Sequence, residues 1–206
     1  MTWLQAFSTL CLVAAPFAGA ATAAPTASTL NGTYRGIKLP DLSQDVFWGV
    51  PFAQSRRFEQ AAPLNSTWSH ARDATTPGIT CSGYGTNPRE GWEIGEDCLN
   101  LNVVRPQGAH PGQDLPVLLW MYGGGYRQGS NRDPEFNTSF MVQTSMEIDQ
   151  PIIVVSINYR LSAFGFLASE EVAGNGAMNI GLQDQRQALR WIQENIHGFG
   201  GDPGQV

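Results

Sequence analysis

Three consecutive glycines, Gly123 to Gly125, follow directly after a run of apolar residues. The run begins at Leu115, and its length and flanking residues are typical of a β-strand that is buried on both faces in a parallel sheet. In open α/β sheets, ligands bind at the carboxyl ends of the strands. Because glycine has no side chain, its backbone N–H can approach a ligand closely or adopt a positive φ. These are the properties that an oxyanion hole needs, in which backbone N–H groups bind a negatively charged oxygen.

Two other interpretations of the glycine triplet have to be weighed. The first is a glycine-rich turn without chemistry, since glycine is common in loops. The second is a nucleotide-binding loop, but Gly123, Gly125 and Gly129 lack the G-x-G-x-x-G spacing. Pro134 would also interrupt the helix that such a loop needs directly after it. The elements around the triplet decide between an anion site and a plain turn.

The predicted elements after the triplet alternate between helix and strand. A short helix is predicted from Phe140 to Met146, a fully apolar strand over residues 151–157, and a long helix from about Leu182 to His197 that ends at Gly198. Two strands that are joined by a crossover predict a parallel, right-handed pairing. The apolar face of the long helix is predicted to consist of Leu182, Leu189, Ile192 and Ile196.

Shorter strands are predicted nearer the N-terminus. Residues 33–40 and 44–53 are β-prone and lie between Pro and Gly residues, as antiparallel edge strands usually do. In residues 96–106, leucine and valine alternate with Asn100 and Asn102, which predicts a strand with one buried and one exposed face. Residues 54–95 are rich in Ser, Thr, Gly and Pro and are predicted to form a long irregular loop with a functional role.

The sequence ends soon after the long helix. Val206 follows a turn over residues 200–204 and looks like the first residue of a further strand. A β-α-β-α order that stops there would leave the strand over residues 151–157 without its neighbour. We therefore expect the chain to be a fragment of a larger domain.

The N-terminal residues are typical of an exported chain. Residues 4–24 are apolar and rich in alanine, and small residues lie where signal peptidase cleaves, so we predict a signal peptide over residues 1–24. No Lys or Arg precedes Arg35, so a membrane anchor is the alternative, although the apolar run is shorter than the ~20 residues of a spanning helix. A net charge of -6 over 206 residues fits one globular domain and does not favour nucleic acid as a partner.

Export also bears on Cys81 and Cys98, the two cysteines that remain after residue 24. One disulfide is the simplest interpretation of an even pair in an exported chain, and two free buried thiols are the alternative. Three N-x-S/T sequons, which begin at Asn31, Asn65 and Asn137, predict N-glycosylation. We therefore predict a secreted, extracellular glycoprotein.

Short motifs run in order along residues 31–206. They are Phe47-Trp48-Gly49-Val50-Pro51-Phe52-Ala53, Arg57-Phe58, Glu96-Asp97-Cys98-Leu99, Trp120 to Tyr126 with Gly129-Ser130, Ser156-Ile157-Asn158-Tyr159-Arg160, Phe164-Gly165-Phe166-Leu167, Asn179 to Arg186, Trp191 to Ile196 and Phe199 to Pro203. In this order they resemble the type B carboxylesterase family of the α/β-hydrolase fold. That family includes secreted fungal carboxylesterases and lipases, cholinesterases and neuroligins.

The resemblance implies an α/β-hydrolase fold with a mostly parallel central sheet and antiparallel N-terminal strands, of which residues 25–206 are the N-terminal part. It implies ester hydrolysis, in which a serine on a strand-to-helix elbow attacks the carbonyl, a histidine takes its proton, and Glu or Asp orients the histidine. By position it gives the oxyanion hole to the N–H groups of Gly124 and Gly125. The family elbow normally follows Gly-Gly-Asp-Pro, so all three triad residues are expected after Val206.

The resemblance also assigns structural roles. It implies two buried ion pairs, Arg57 with Glu96 and Arg160 with Asp184, for which solvated surface charges are the alternative. It places the Cys81–Cys98 loop at the mouth of the active-site gorge.

The sequence departs from the family pattern at three places. Gln54-Ser55-Arg56 is shorter than the loop that usually precedes Arg-Phe, and Asn100 stands where an aromatic residue or threonine is usual. The loop between Cys81 and Cys98 is short for the lid of an interfacially activated lipase. This last departure favours an esterase that acts on shorter or soluble esters.

Two alternatives to a secreted ester hydrolase stay open, namely a non-catalytic cholinesterase-like relative used for binding or adhesion and an inactive truncated product. For the enzyme, the expected partner is a small-molecule or lipid ester. No nucleic acid, stable membrane anchor, cofactor or metal site is expected. His70, His110 and His197 are expected to be exposed or to cap helices.

Overall fold

A computed structural model of the protein describes residues 23–84 and 91–206, so most of the predicted signal peptide lies outside the described residues. The strands of this part of the chain are β1 Thr26–Ser28, β2 Thr33–Arg35, β3 Ile37–Leu39, β4 Gln44–Pro51, β5 Arg72–Asp73, β6 Thr80–Cys81, β7 Ile94–Gly95, β8 Asn100–Pro106, β9 Val117–Met121 and β10 Ile153–Ile157. The α-helices are α1 Ser139–Glu147, α2 Ser162–Phe166, α3 Glu170–Gly174 and α4 Ile180–Asn195, and the 3-10 helices are Pro40–Leu42, Pro134–Phe136 and Ile196–Phe199.

The main sheet has five strands in the order β3-β4-β8-β10-β9. β4 pairs antiparallel with β3 and with β8, and β8 pairs antiparallel with β10. β9 pairs with β10 in the predicted parallel sense. The predicted antiparallel N-terminal strands are therefore present beside a parallel pair, although β4 lies inside the sheet and not at its edge. Strands β1, β2 and β5 form a smaller sheet, and β6 pairs with β7.

The structure corrects the expected neighbours of two strands. The prediction that residues 151–157 lack a neighbour is wrong, because β10 lies between β8 and β9 and all its residues are buried. The prediction that the run before the glycines is buried on both faces is also wrong, since β9 lies at the edge of the sheet. Leu118 is 37% exposed and Met121 is 43% exposed, because no element of the described chain covers them.

The C-terminal residues run along the free edge of β9. Leu115 and Gly201 form a parallel bridge. The backbone N–H of Asp202 donates to Leu115 O at 2.8 Å, and that of Val117 donates to Gln205 O at 2.9 Å. Residue 206 is not assigned to a strand, so the start of a strand there stays a prediction.

β8 is buried on both faces, which corrects the prediction of a half-buried strand. Asn102 is fully buried, with its side chain bound to Gly49 N at 2.9 Å and to Asn131 O at 2.9 Å. Asn100 donates to Ile79 O at 2.9 Å. A polar side chain can be buried where its hydrogen bonds are satisfied, so alternation of polar and apolar residues did not indicate exposure here.

Helices lie on both faces of the sheet. On one face, Val142 of α1 packs against Val46, Val104 and Val154. On the other face, Trp191 of α4 belongs to the core that contains Phe47 and Phe199, whose ring centroids are 5.0 Å apart. The strand residues of the two cores alternate along β4, β8 and β10, as the pleat of a sheet requires.

The buried face of α4 differs from the predicted one. Leu182 and Leu189 are 41% and 39% exposed, and the buried stripe instead includes Ile180, Asp184 and Trp191. The stripe follows the i, i+4, i+7 spacing of a helix. It includes the carboxylate of Asp184, so a search for apolar residues alone does not find it. The chain leaves the helical region at Gly200, with φ 95°, and not at Gly198. No helix in residues 23–84 and 91–206 is long and apolar enough to cross a membrane.

A buried ion pair that the sequence did not indicate joins β4 to β8. Arg105 Nη2 lies 3.3 Å from Asp45 Oδ2, and both side chains are almost fully buried. Arg105 also donates to the carbonyl oxygens of Phe199 and Thr26, so one guanidinium links the main sheet to β1 and to the 3-10 helix after α4. Burial lowers the pKa of Arg105, and the attraction of Asp45 opposes this effect.

The substitution Asp45→Asn is expected to lower the free energy of unfolding by about 3–5 kcal/mol, because it leaves the Arg105 guanidinium charged and buried without its counter-ion. The matched control is Asp73→Asn, since Asp73 pairs with Arg35 at the surface with both side chains about half exposed. That change is expected to cost less than about 1 kcal/mol. Urea unfolding of both variants measures the difference, and equal costs would contradict a structural role for the buried pair.

Candidate active site

Two tyrosines connect the carboxyl ends of β9 and β10. Because these strands are parallel, Tyr122 after β9 and Tyr159 after β10 emerge at the same edge of the sheet. Their rings stack with centroids 4.7 Å apart. The Tyr122 hydroxyl donates to Tyr159 O at 3.1 Å, and the Tyr159 hydroxyl donates to Tyr122 O at 3.0 Å. This exchange of hydrogen bonds fixes the peptide from which the glycine triplet starts.

The backbone after Tyr122 turns back on itself in a conformation that needs glycine. Gly124 has φ 129°, and a Cβ there would lie 2.1 Å from Gln128 O. Gly129 has φ 132°, and a Cβ there would lie 2.1 Å from the Tyr122 ring. Gly125 has φ 63° and open space around it. Glycine is therefore required at positions 124 and 129 for two reasons, the positive φ and the close approach of neighbouring atoms.

The glycine loop presents adjacent backbone donors that have no acceptor in the part of the chain that the structure describes. Among the described residues, the N–H groups of Gly124 and Gly125 make no hydrogen bond, whereas Gly124 O accepts from Arg127 N at 3.2 Å. Gly123 and Gly125 line a cavity of about 270 Å³, together with Met121, Tyr122, Tyr126, Tyr159 and Gln185. Adjacent free N–H groups beside a cavity can bind an oxyanion, since they offer fixed dipoles without a charge of their own.

The far end of the glycine loop is fastened to the start of α2. Ser162 adopts φ 51°, and its N–H donates to Tyr126 O at 2.7 Å. Its hydroxyl donates to Arg127 O at 3.0 Å. The loop is thus held at both ends by backbone carbonyl contacts, and no role was predicted for Ser162 from the sequence.

A cluster of buried asparagines ties the segment after Gly129 to the sheet. Asn131 N donates to Asn158 Oδ1 at 2.9 Å, and Asn131 Nδ2 donates to Asn100 O at 3.2 Å. Asn158 Nδ2 donates to Ile79 O at 3.0 Å. Asn100, which departs from the family pattern, therefore takes part in a network that a larger aromatic side chain would not reproduce. The departure of Asn100 from the family pattern is visible in the sequence, but nothing there indicates its partners Asn131 and Asn158.

Arg160 and Asp184 form the buried pair on which α4 meets the end of β10. Asp184 Oδ2 accepts from the Arg160 backbone N–H at 3.0 Å and from Nε at 2.8 Å, while Oδ1 accepts from Nη2 at 2.7 Å. The side chains are 4% and 0% exposed. Arg160 Nη1 also donates to Arg56 O at 3.2 Å and to Glu59 O at 2.7 Å, so the pair also holds the loop over residues 56–59.

The second predicted pair is formed, but it is not buried. Arg57 Nε donates to both carboxylate oxygens of Glu96, at 3.0 and 2.9 Å. The side chains are 60% and 36% exposed, because the two loops that carry them meet at the surface with no described element above them. The hydrogen bond to Arg57 lowers the pKa of Glu96. The expectation of a buried pair is therefore wrong at this position.

The other residues singled out in the sequence are the two cysteines, the three sequon asparagines and the three histidines. Cys81 and Cys98 form a disulfide with Cα atoms 5.0 Å apart. Asn65 and Asn137 are exposed, and Asn31 is partly buried. The three histidines, His70, His110 and His197, are exposed, and none hydrogen bonds to a serine within the described chain. Residues 23–84 and 91–206 contain no group of three His, Cys, Asp or Glu side chains that could hold a metal ion.

Comparison with known proteins decides the family. A sequence profile of the carboxylesterase family matches residues 22–206. The chain belongs to the carboxylesterase family. Lipase 4 of Diutina rugosa is 37% identical over 89% of this chain, and acetylcholinesterase of Bungarus fasciatus is 41% identical over 87% of it. These alignments cover 37% and 31% of the two relatives, so this carboxylesterase-family chain spans about a third of their length.

Solved structures of the carboxylesterase family show the same fold. EstA of Aspergillus niger superposes with a TM-score of 0.78 at 37% identity, covering 89% of this chain and 35% of EstA. A structure named PNB esterase superposes with a TM-score of 0.73 at 32% identity, covering 86% of this chain and 36% of that protein. The predicted α/β-hydrolase fold of the type B carboxylesterase and lipase family is confirmed.

The substitution Gly124→Ala is expected to lower the free energy of unfolding by about 1–3 kcal/mol or more, since a Cβ would meet Gln128 O in a backbone conformation that is already unfavourable for alanine. Gly112→Ala is the matched control, because Gly112 has φ 91° with no atom near its Cβ position. The difference between the two variants in thermal unfolding isolates the collision from the cost of positive φ. Equal losses would mean that the close approach in the loop does not constrain its shape.

Stability is expected to fall with rising pH above about pH 10, the usual tyrosine value. Burial raises the pKa of Tyr34 and Tyr159 to about 12, and it raises that of Tyr122 well above the usual range. The unfolded chain therefore releases these protons first, which lowers the free energy of unfolding by up to about 1.4 kcal/mol per pH unit for each tyrosine.

Urea unfolding between pH 9 and pH 12 measures this slope. Tyr34→Phe removes one of the three hydroxyls whose pKa is raised, and this hydroxyl has no hydrogen-bond partner in the described chain. The variant should therefore reduce the slope of unfolding free energy against pH by about a third. A slope that does not change in this variant would show that Tyr34 ionises normally.

Proposed function

We propose that the protein is a secreted carboxylic-ester hydrolase that works through a serine acyl-enzyme, and that residues 25–206 are the N-terminal part of its catalytic domain. The observation that carries the proposal is the pair of adjacent N–H groups at Gly124 and Gly125 that have no acceptor in the described chain, in a loop whose Gly123 and Gly125 line a cavity at the carboxyl end of β9. Membership of the carboxylesterase family, with relatives named as lipases and esterases, supports the same activity.

In this proposal, the chain supplies the oxyanion hole. When a serine attacks the ester carbonyl, the carbonyl oxygen becomes negatively charged, and the N–H groups of Gly124 and Gly125 donate to it. These dipoles are already oriented by the Tyr122–Tyr159 exchange, so they need no reorganisation as charge develops. Each such donor is worth about 3 kcal/mol of transition-state stabilisation.

The serine, the acid and the histidine are proposed to come from sequence after Val206. Residues 200–205 already lie parallel to the free edge of β9 through the Leu115–Gly201 bridge and the bond from Val117 N to Gln205 O. A strand that continues from there would pair with β9 and end at the same edge of the sheet, because the carboxyl ends of parallel strands lie together. A nucleophile elbow after that strand would therefore face the glycine loop.

The proposed substrates are esters of short acyl chains. The disulfide joins residues only 17 positions apart, which leaves little chain for a long lid over the site. The export that we propose agrees with this disulfide and with the three sequons, since both belong to the secretory pathway.

The test compares the product of the whole gene, secreted from a fungal host, with the 206 residues alone. We expect the whole product to hydrolyse p-nitrophenyl acetate and butyrate faster than the palmitate, and to gain one fluorophosphonate per molecule on a serine after residue 206. The 206 residues alone are expected to do neither, since no serine–histidine pair lies in their described part. In the whole product, Gly124→Ala keeps the backbone N–H but should lower kcat by up to about 100-fold, because the collision of its Cβ with Gln128 O displaces the donors, and Gly112→Ala should leave kcat unchanged.

A whole product that folds but neither hydrolyses these esters nor reacts with the fluorophosphonate would overturn the proposal. It would favour a non-catalytic binding protein of the same family.

A further inference from the structure

The three sequons are equivalent in the sequence but differ in the fold. The side-chain amide of Asn31 donates both of its hydrogens, since Nδ2 lies 3.0 Å from Leu64 O and 3.0 Å from Ser66 O. These two carbonyls flank Asn65, the next sequon. Asn31 thus holds the loop over residues 64–66 against the segment that leads into β2.

The backbone of the Asn31 sequon is held by Trp68. Trp68 N donates to Asn31 O at 2.9 Å, and Trp68 Nε1 donates to Thr33 O at 3.1 Å. A Cβ on Gly32 would lie 2.4 Å from Trp68 Nε1, so the middle residue of the sequon packs directly against the indole. The guanidinium of Arg72 lies 3.9 Å from the centre of the same ring. The Asn31 sequon is part of a packed contact.

N-glycosylation is not compatible with this contact. In the reaction, the bond between C1 of a lipid-diphosphate-linked oligosaccharide and its phosphate oxygen breaks, a bond from C1 to Nδ2 forms, and Nδ2 releases a proton. The modified amide keeps one hydrogen and can serve only one of the two carbonyls. The sugar would occupy the place of the other carbonyl, 3.0 Å from Nδ2.

At the other two sequons, the amide nitrogens make no hydrogen bond to any residue that the structure describes. Asn65 is exposed, and its side chain makes no hydrogen bond within the described chain. Asn137 is also exposed, and its Oδ1 accepts from Ser139 N at 3.1 Å. This bond orients the Asn137 amide without using Nδ2, so the nitrogen that would carry a sugar points away from the backbone that it caps.

We propose that the folded, secreted protein carries N-glycans at Asn65 and Asn137, and that Asn31 stays unmodified because its amide is a structural clamp on the loop over residues 64–66. The glycan assignment rests on the proposed export, but the clamp does not. A molecule glycosylated at Asn31 could not close the clamp, and such molecules would be lost before secretion.

Glycopeptide mass spectrometry of the product of the whole gene, secreted from a fungal host, tests the assignment. We expect modified peptides for Asn65 and Asn137 and an unmodified peptide for Asn31. Thr33→Ala and Thr67→Ala each destroy one sequon and keep its asparagine, so only Thr67→Ala should reduce the glycan mass. A glycan on Asn31 of secreted, folded protein would overturn the clamp. Absence of glycan from all three peptides would overturn the assignment to Asn65 and Asn137.

A second measurement tests the clamp without export or activity. The same product, made unglycosylated in a bacterial periplasm where the disulfide can form, is compared with Asn31→Asp and Asn65→Asp. Asn31→Asp places carboxylate oxygens against two carbonyl oxygens and should lower Tm by about 3–6 °C, whereas Asn65→Asp should leave Tm within about 1 °C. Equal shifts would contradict the clamp even if the glycan pattern agreed. If the protein shows the shift in Tm but hydrolyses no ester, the clamp is supported and only the proposed activity is overturned.

Discussion

The exchange of hydrogen bonds between Tyr122 and Tyr159 is the interaction on which the geometry of the site depends. Each hydroxyl binds the backbone carbonyl of the other residue, so the ends of two parallel strands are held at one spacing. Both groups are buried, and a buried carbonyl without a partner costs free energy. The glycine loop starts from one of these carbonyls. Its orientation is therefore set by the sheet rather than by the loop's own flexible residues.

The polar contacts below the loop have a common arrangement, in which side chains bind backbone atoms of neighbouring segments. Asn131 binds the first residue of β8, Arg160 binds the loop over residues 56–59, and Arg105 binds the segments at β1 and after α4. All three side chains are buried. This gives the loop a rigid base. The outer edge of β9 binds residues 200–205 at its start and has no further strand beside it in the described chain.

The sequence was informative where a single physical signal dominated. Apolar runs located β9 and β10, their crossover gave the parallel pairing, and the paired Cys81 and Cys98 gave the disulfide. It was misleading where burial depends on partners that are distant in the chain. Asn102 is buried because Gly49 and Asn131 satisfy it, and Leu189 is exposed because Asp184 and Trp191 take the buried face of α4. The Asp45–Arg105 pair, 60 positions apart, had no local signal at all.

The proposed activity depends on the N–H groups of Gly124 and Gly125, which would bind the oxygen that becomes negative during ester hydrolysis. The most direct measurement is a crystal structure of the product of the whole gene after reaction with an alkyl phosphonate, whose phosphoryl oxygen mimics that oxyanion. We expect a phosphorus–serine bond and the phosphoryl oxygen about 2.7–3.1 Å from both nitrogens. A phosphonylated serine whose oxygen points to other donors, with both glycine N–H groups still free, would contradict it.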